Sequence, residues 1–289
     1  MNAKYIVLIL LISASSCTRR DPAVDVTPVL SSVPFIFYQN VVYGADPNEQ
    51  DLDVDLPLVR DTINTPVVIL IHGGGWEAGS KADFYGLGLD TFFTANGCAV
   101  VDMNYRLDGN SYNGVNYAYP DCLDDVGHVM NFLKQKAAEW QINPNRVCML
   151  GKSSGAHLAL LYAYSLNAGG RVKAVIDGFG PTDFCDSTVV DAALAGLVTG
   201  MLGPYASNMQ AWHNASPIFY LAGAVPTAIM QGTSDTLVYP IQSFMLEDSL
   251  LTRGIPCQFY PWVGDYHGWD QTKWMECRKP ILSWLKNYL

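Results

Sequence analysis

The chain has 289 residues and a formal charge of −10, and it is 49% hydrophobic and 15% charged. That balance excludes a disordered chain, which buries too little apolar surface to fold. It also excludes a nucleic-acid binder, which needs clustered Lys and Arg to meet phosphates, and it disfavours strongly anionic substrates.

Residues 1–17 read as a targeting segment. Lys4 supplies the positive start, and residues 5–12 form an apolar stretch too short to span a bilayer. Ala14-Ser15-Ser16-Cys17 resembles a bacterial lipobox, which makes Cys17 the lipidated first residue of a mature lipoprotein. The expectation is a bacterial envelope protein that faces the periplasm or exterior and meets the membrane only through this anchor. Residues 18–34, with Arg19, Arg20, Pro22, Pro28 and Pro34, read as a flexible tether. Residues 35–289 read as one domain, without internal repeats.

Within that domain, alternation over residues 41–56 predicts early hairpin strands. Apolar, β-branched runs predict further strands at 67–71, 99–103, 147–150, 174–176, 227–230 and 258–260. Leu123, Val126, Val129, Met130, Leu133 and Ala137 share one face of a helix predicted over 121–140, and a closing helix is predicted over 277–289. Strands alternating with helices give an α/β fold, a mostly parallel central sheet covered by helices on both faces. Ligands of such sheets bind at the carboxyl ends of the strands.

The most informative residues are Gly151-Lys152-Ser153-Ser154-Gly155. They fit G-x-S-x-G between a strand and a helix, the nucleophile elbow that lifts a serine hydroxyl above a sheet. A second motif, His72-Gly73-Gly74-Gly75-Trp76, follows the strand at 67–71. Consecutive glycines let backbone N–H groups approach a developing oxyanion, so Gly74, Gly75 and Ser154 are the candidate donors. Every one of these motifs falls where a predicted strand ends.

With Asn104-Tyr105-Arg106-Leu107, Gln231-Gly232-Thr233-Ser234-Asp235 and Tyr266-His267-Gly268 added, the sequence resembles α/β-hydrolase esterases with an HGGG oxyanion loop. It is most similar to the BD-FAE-like carbohydrate esterases of the feruloyl/acetylxylan type, with the hormone-sensitive-lipase-like carboxylesterases more distant. The resemblance implies a carboxylic-ester hydrolase acting on acetyl or feruloyl esters of carbohydrate or of small molecules, with no cofactor. Lys152 departs from the acidic residue many relatives carry there, and Ser154-Gly155-Ala156 departs from their usual continuation.

Ser153 needs a base. Of the five histidines, His128 and His157 fall on helices, His72 in the glycine loop and His213 in a loop before a strand. His267 follows the last strand, where the order Ser, Asp, His places the base. Asp235 is the expected acid, Asp183 its rival, and Asp265 lies too near His267 in sequence to face it. Trp76 and Trp269 neighbour the site and are either substrate platforms or core. Residues 106–120, rich in Tyr and Asn, are candidates to line the pocket, and residues 186–220 to form a helical cap or to cover the sheet.

Six cysteines remain beside Cys17. Cys98 and Cys148 fall in apolar strands as buried thiols, while Cys257 and Cys277 are candidates to bridge the last strand to the closing helix. No spacing resembles a metal site. A peptidase or arylformamidase, and an inactive binding protein, are the alternative functions for this fold.

Overall fold

The computed structural model describes residues 35–269 and 271–289. The expected targeting segment, Cys17 and the tether lie outside the described residues. Ten strands are described: β1 (Phe35–Val42), β2 (Asp51–Pro57), β3 (Val67–Ile71), β4 (Ala99–Met103), β5 (Ser111–Tyr112), β6 (Val115–Asn116), β7 (Val147–Lys152), β8 (Val172–Gly178), β9 (Thr227–Gly232) and β10 (Cys257–Trp262). The helices are α1 (Leu89–Ala95), α2 (Tyr119–Trp140), α3 (Ser154–Leu161), α4 (Ala192–Leu202), α5 (Tyr205–Asn214), α6 (Pro240–Thr252) and α7 (Gln271–Leu285). Among the described residues, no helix is long and apolar enough to cross a membrane.

Eight strands form one sheet in the order β1-β2-β4-β3-β7-β8-β9-β10. The β1–β2 and β2–β4 pairs are antiparallel and the other pairs parallel. β5 and β6 make a separate small hairpin inside the Tyr/Asn-rich segment. β3 is apolar throughout, and β4, β7, β8 and β9 are mostly so, because both faces of these inner strands are covered, whereas the edge strand β10 is only partly buried.

The pleat of β3 divides the interior in two. Val67, Ile69 and Ile71 point into a core shared with Val126, Val129 and Leu133 of α2, Leu158 of α3, and Leu246 and Leu250 of α6. Val68 and Leu70 point into the other core, with Leu89 and Phe93 of α1 and Trp274, Cys277, Ile281 and Trp284 of α7. Each fully buried side chain of this kind contributes about 1.5–3 kcal/mol, which holds the sheet rigid beneath the loops at its carboxyl edge.

The candidate bridge between Cys257 and Cys277 is absent. Cys257 packs against the first core and Cys277 lies within the second, so the sheet separates them. All six described cysteines are free thiols, and Cys98 and Cys148 are buried as expected. The closing helix also starts earlier than its pattern predicts, at Gln271. Trp274, Cys277, Ile281 and Trp284 form its buried stripe, and Pro280 lies within it rather than near its start.

Candidate active site

β7 enters the elbow and α3 leaves it. Ser153 sits between them with φ 51° and ψ −119°, a conformation side-chain-bearing residues seldom adopt. Two contacts impose it. The Ser153 N–H donates to the Gly178 carbonyl at 2.8 Å, and its own carbonyl accepts the His157 N–H at 3.0 Å. Gly155 is required on steric grounds, because a Cβ there would collide with the carbonyl oxygens of Ile71 and His72. The turn therefore presses against the end of β3, which brings the nucleophile beside the glycine loop.

The Ser153 hydroxyl donates to His267 Nε2 at 2.9 Å. On the far side of the ring, His267 Nδ1–H donates to Asp235 Oδ2 at 2.8 Å. That second bond selects the tautomer whose Nε2 is free to accept a proton. The Asp235 side chain is fully buried and its acceptors are saturated. Leu237 N–H and Val238 N–H donate to Oδ1 at 2.9 and 3.0 Å, and the Gln231 side chain donates to Oδ2 at 2.9 Å. Asp183 is elsewhere engaged, its Oδ1 accepting the Cys185 and Asp186 N–H groups.

In the glycine loop, Gly74 and Gly75 have φ of 123° and 63°, which favours glycine at both. The Gly74 carbonyl accepts the Ala78 N–H at 3.0 Å and folds the loop back on itself. His72 braces it from below: its Nδ1–H donates to the Gly73 carbonyl at 2.8 Å, and its ring stacks on Tyr105 at 4.2 Å. Tyr105 in turn donates to the His72 carbonyl at 3.1 Å. Burial lowers the His72 pKa to about 4, so the ring is neutral at pH 7. The other two residues of Asn104-Tyr105-Arg106 are anchors. Asn104 donates to Asp51, and Arg106 is paired with Asp121 and Asp125.

The remaining histidines lie off the proton path. His157 is buried beneath the elbow, its Nε2–H donating to the Ala215 carbonyl at 2.6 Å, and burial lowers its pKa to about 4. His128 pairs with Asp125, and His213 stacks on Phe219. Lys152 is drawn to a neighbouring segment, where its ammonium donates to the Asp83 carbonyl and lies 4.5 Å from the Phe84 ring centre. Burial lowers its pKa.

Of the two readings open for Trp76, the structure supports core. The residue is 1% exposed, donates its indole N–H to His157 Nδ1 at 3.2 Å, and packs edge-on against Tyr119 and Phe184. Trp269 is also buried, among Phe179, Trp262 and Trp274. In the Tyr/Asn-rich segment Tyr117 and Tyr119 are buried, whereas Asn110, Asn113 and Asn116 remain exposed. The segment at 186–220 forms α4 and α5, and α4 lies over the glycine loop: a Cβ at Gly75 would touch Leu197 at 3.4 Å. Sequence reasoning misses Gln231 and Phe179. Gln231 is visible as a polar residue closing an apolar strand; Phe179 gives no signal.

Residues 52–250 match the BD-FAE family. The chain is similar to the probable carboxylic ester hydrolase LipM of Mycobacterium tuberculosis, with 28% identity across 70% of this chain and 49% of that protein. It is also similar to esterase LipQ of the same organism, with 24% identity across 79% of this chain and 56% of that protein. It thus spans about half the length of these relatives. Among solved structures it is similar to a truncated carbohydrate esterase from gut microbiota. The TM-score is 0.70 and the identity 21%, covering 87% of this chain and 96% of that one. It is also similar to esterase 2 of Thermogutta terrifontis phosphoramylated by tabun. There the TM-score is 0.68 and the identity 22%, covering 88% of this chain and 94% of that one. The α/β-hydrolase fold expected from the sequence is therefore the fold of this chain.

Proposed function

The chain belongs to the BD-FAE family, and on that footing we propose that it is a serine carboxylic-ester hydrolase working through an acyl-enzyme. The observation that carries the reading is the unbroken hydrogen-bond line from Ser153 through His267 to Asp235, at 2.9 and 2.8 Å. In this reading Ser153 Oγ attacks the ester carbonyl while His267 Nε2 takes its proton. Asp235 holds the ring and stabilises the imidazolium that forms. The N–H groups of Gly74, Gly75 and Ser154 receive the oxyanion. His267 then returns the proton to the departing alcohol, and water, activated by the same nitrogen, releases the acid.

The family resemblance favours acetyl or feruloyl esters of carbohydrate as substrates. The exposed amides of Asn113 and Asn116 offer donors and acceptors to sugar hydroxyls. The N-terminal pattern ending at Cys17 supports a lipid-anchored enzyme of the bacterial envelope. Cys17→Ser should shift the protein out of the membrane fraction; unchanged partitioning would remove the anchor. Parallel assays on p-nitrophenyl acetate, methyl ferulate and acetylated xylan test the substrate class. Turnover confined to p-nitrophenyl acetate would contradict a carbohydrate ester.

A further inference from the structure

The turn that leaves β8, starting at that strand's last residue, touches both Ser153 and His267 in the proposed proton path. Its first residue, Gly178, accepts the Ser153 N–H at 2.8 Å. Its second, Phe179, lays its ring against the imidazole of His267, with centroids 5.0 Å apart and planes at 71°. Its third, Gly180, is tied down by donating to Asp177 Oδ1 at 2.7 Å.

Phe179 is held in a conformation its side chain disfavours. Its φ is 50°, in the left-handed region, where a bulky aromatic is an outlier. The backbone is secured by Phe179 N–H donating to the Met230 carbonyl at 2.8 Å, so β9 enforces the strained turn. The ring is 2% exposed and is backed by Trp269 at 5.4 Å and Trp274 at 6.3 Å. The indoles of Trp269 and Trp274 lie 5.4 Å apart, and Trp262 lies 5.6 Å from Trp269. An aromatic wall thus runs from α7 to the face of His267. Local backbone strain persists where the surrounding structure over-determines it, and such strain clusters at functional sites.

We propose that Phe179 is a positioning residue for His267. Its ring, clamped by Trp269 and Trp274, fixes the imidazole plane in line with both Ser153 Oγ and Asp235 Oδ2. The inference rests on the esterase reading of this site. Hydrogen bonds to Asp235 and Ser153 hold the imidazole from its two nitrogens, and the Phe179 ring packed against it blocks the χ1 and χ2 rotations that would carry the ring out of line with both partners.

The test compares Phe179→Tyr, Phe179→Leu and Phe179→Gly in the purified chain, read by steady-state kinetics on p-nitrophenyl acetate. A second readout is the downfield proton resonance of the His267 Nδ1–H. Leu keeps bulk without a ring, while Gly removes the ring and suits the positive φ. The proposal expects Leu and Gly to lower kcat by about ten- to a hundredfold, the scale of a misplaced catalytic group. KM should stay within about threefold, because substrate binding is untouched. The resonance should broaden or vanish in both, and Tyr should restore the resonance and kcat. Wild-type kcat and an intact resonance in Leu and Gly would overturn the proposal, as would an equal loss in Tyr. Failure of the esterase reading looks different: the wild type would match Ser153→Ala in turnover. The resonance would still report the packing of His267 without any catalysis.

Discussion

At the residue scale, catalysis turns on Asp235 fixing the tautomer of His267. Asp235→Asn keeps an oxygen for the Leu237 and Val238 N–H groups, so the turn survives. Its amide can instead face His267 with a donor, which leaves Nε2 protonated and unable to take the serine proton. Turnover of p-nitrophenyl acetate should fall on the order of ten-thousand-fold, while the melting temperature drops only modestly, because the new amide N–H groups also face the Gln231 donor. A loss of less than about tenfold would show that Asp235 does not orient the base. The glycines make a sharper steric claim. Gly155→Ala drives a methyl into the Ile71 and His72 carbonyls, so the variant should fail to yield folded, active protein. A soluble variant with wild-type turnover would contradict the packing described for the elbow. Ser153, His267 and Asp235 are legible in the sequence because each sits in a short polar motif at a strand end. Phe179 is not, since an aromatic after an apolar strand reads as core and its positive φ leaves no trace in residue type.

At the scale of elements, β8 carries a charge that the fold disfavours. Asp177 is fully buried, its Oδ1 accepting the Gly180 N–H and its Oδ2 lacking a partner among the described residues. Burial raises its pKa to about 7, against an ordinary value of 3.8. The folded chain therefore holds this proton between about pH 4 and 7 while the unfolded chain has released it, and stability falls as pH rises through that window. Asp177→Asn mimics the protonated acid, so it should melt higher than wild type at pH 8, by a few kcal/mol of stability at most. The two should converge near pH 4. Equal melting at both pH values would show that the carboxyl is not destabilised by burial. The burial of His72 and His157 acts in the opposite sense. Their pKa values near 4 make stability rise with pH between about 4 and 6.5, an effect that the wild type and the Asp177→Asn variant share and the comparison cancels. Among elements, the inner parallel strands are legible because double-sided burial demands apolar runs, and β8 and β10 are caught only in part because Lys173, Asp177 and Gln258 break theirs. Helices are foreseen as one option for residues 186–220, but the placement of α4 is not legible. α4 begins Ala192-Ala193-Leu194-Ala195-Gly196-Leu197, apolar on every side, so its sequence carries no phase to show which face turns to the glycine loop.

At the scale of the whole molecule, two cores divided by the sheet explain both a success and an error of sequence reasoning. Alternation along the chain shows which strands are buried, but not which side of the sheet each helix covers. Cys257 and Cys277 are near in sequence, whereas the sheet stands between them. Protein produced from residue 18 onward and denatured without reductant should therefore titrate six thiols, and Cys98, Cys122, Cys148 and Cys277 are buried in the native state. Burial holds Cys98 near 11 and Cys257 and Cys277 near 12, which adds to their inertness at pH 8. Fewer than six would reveal a disulfide and contradict the packing. In the proposed reaction Ser153, served by His267 and Asp235, cleaves esters. Hydrolysis of p-nitrophenyl acetate by the wild type beside Ser153→Ala probes that step without intermediaries. Turnover is expected in the wild type, with a loss on the order of a million-fold in the variant. Equal rates in the two, with both proteins folded, would contradict the serine mechanism.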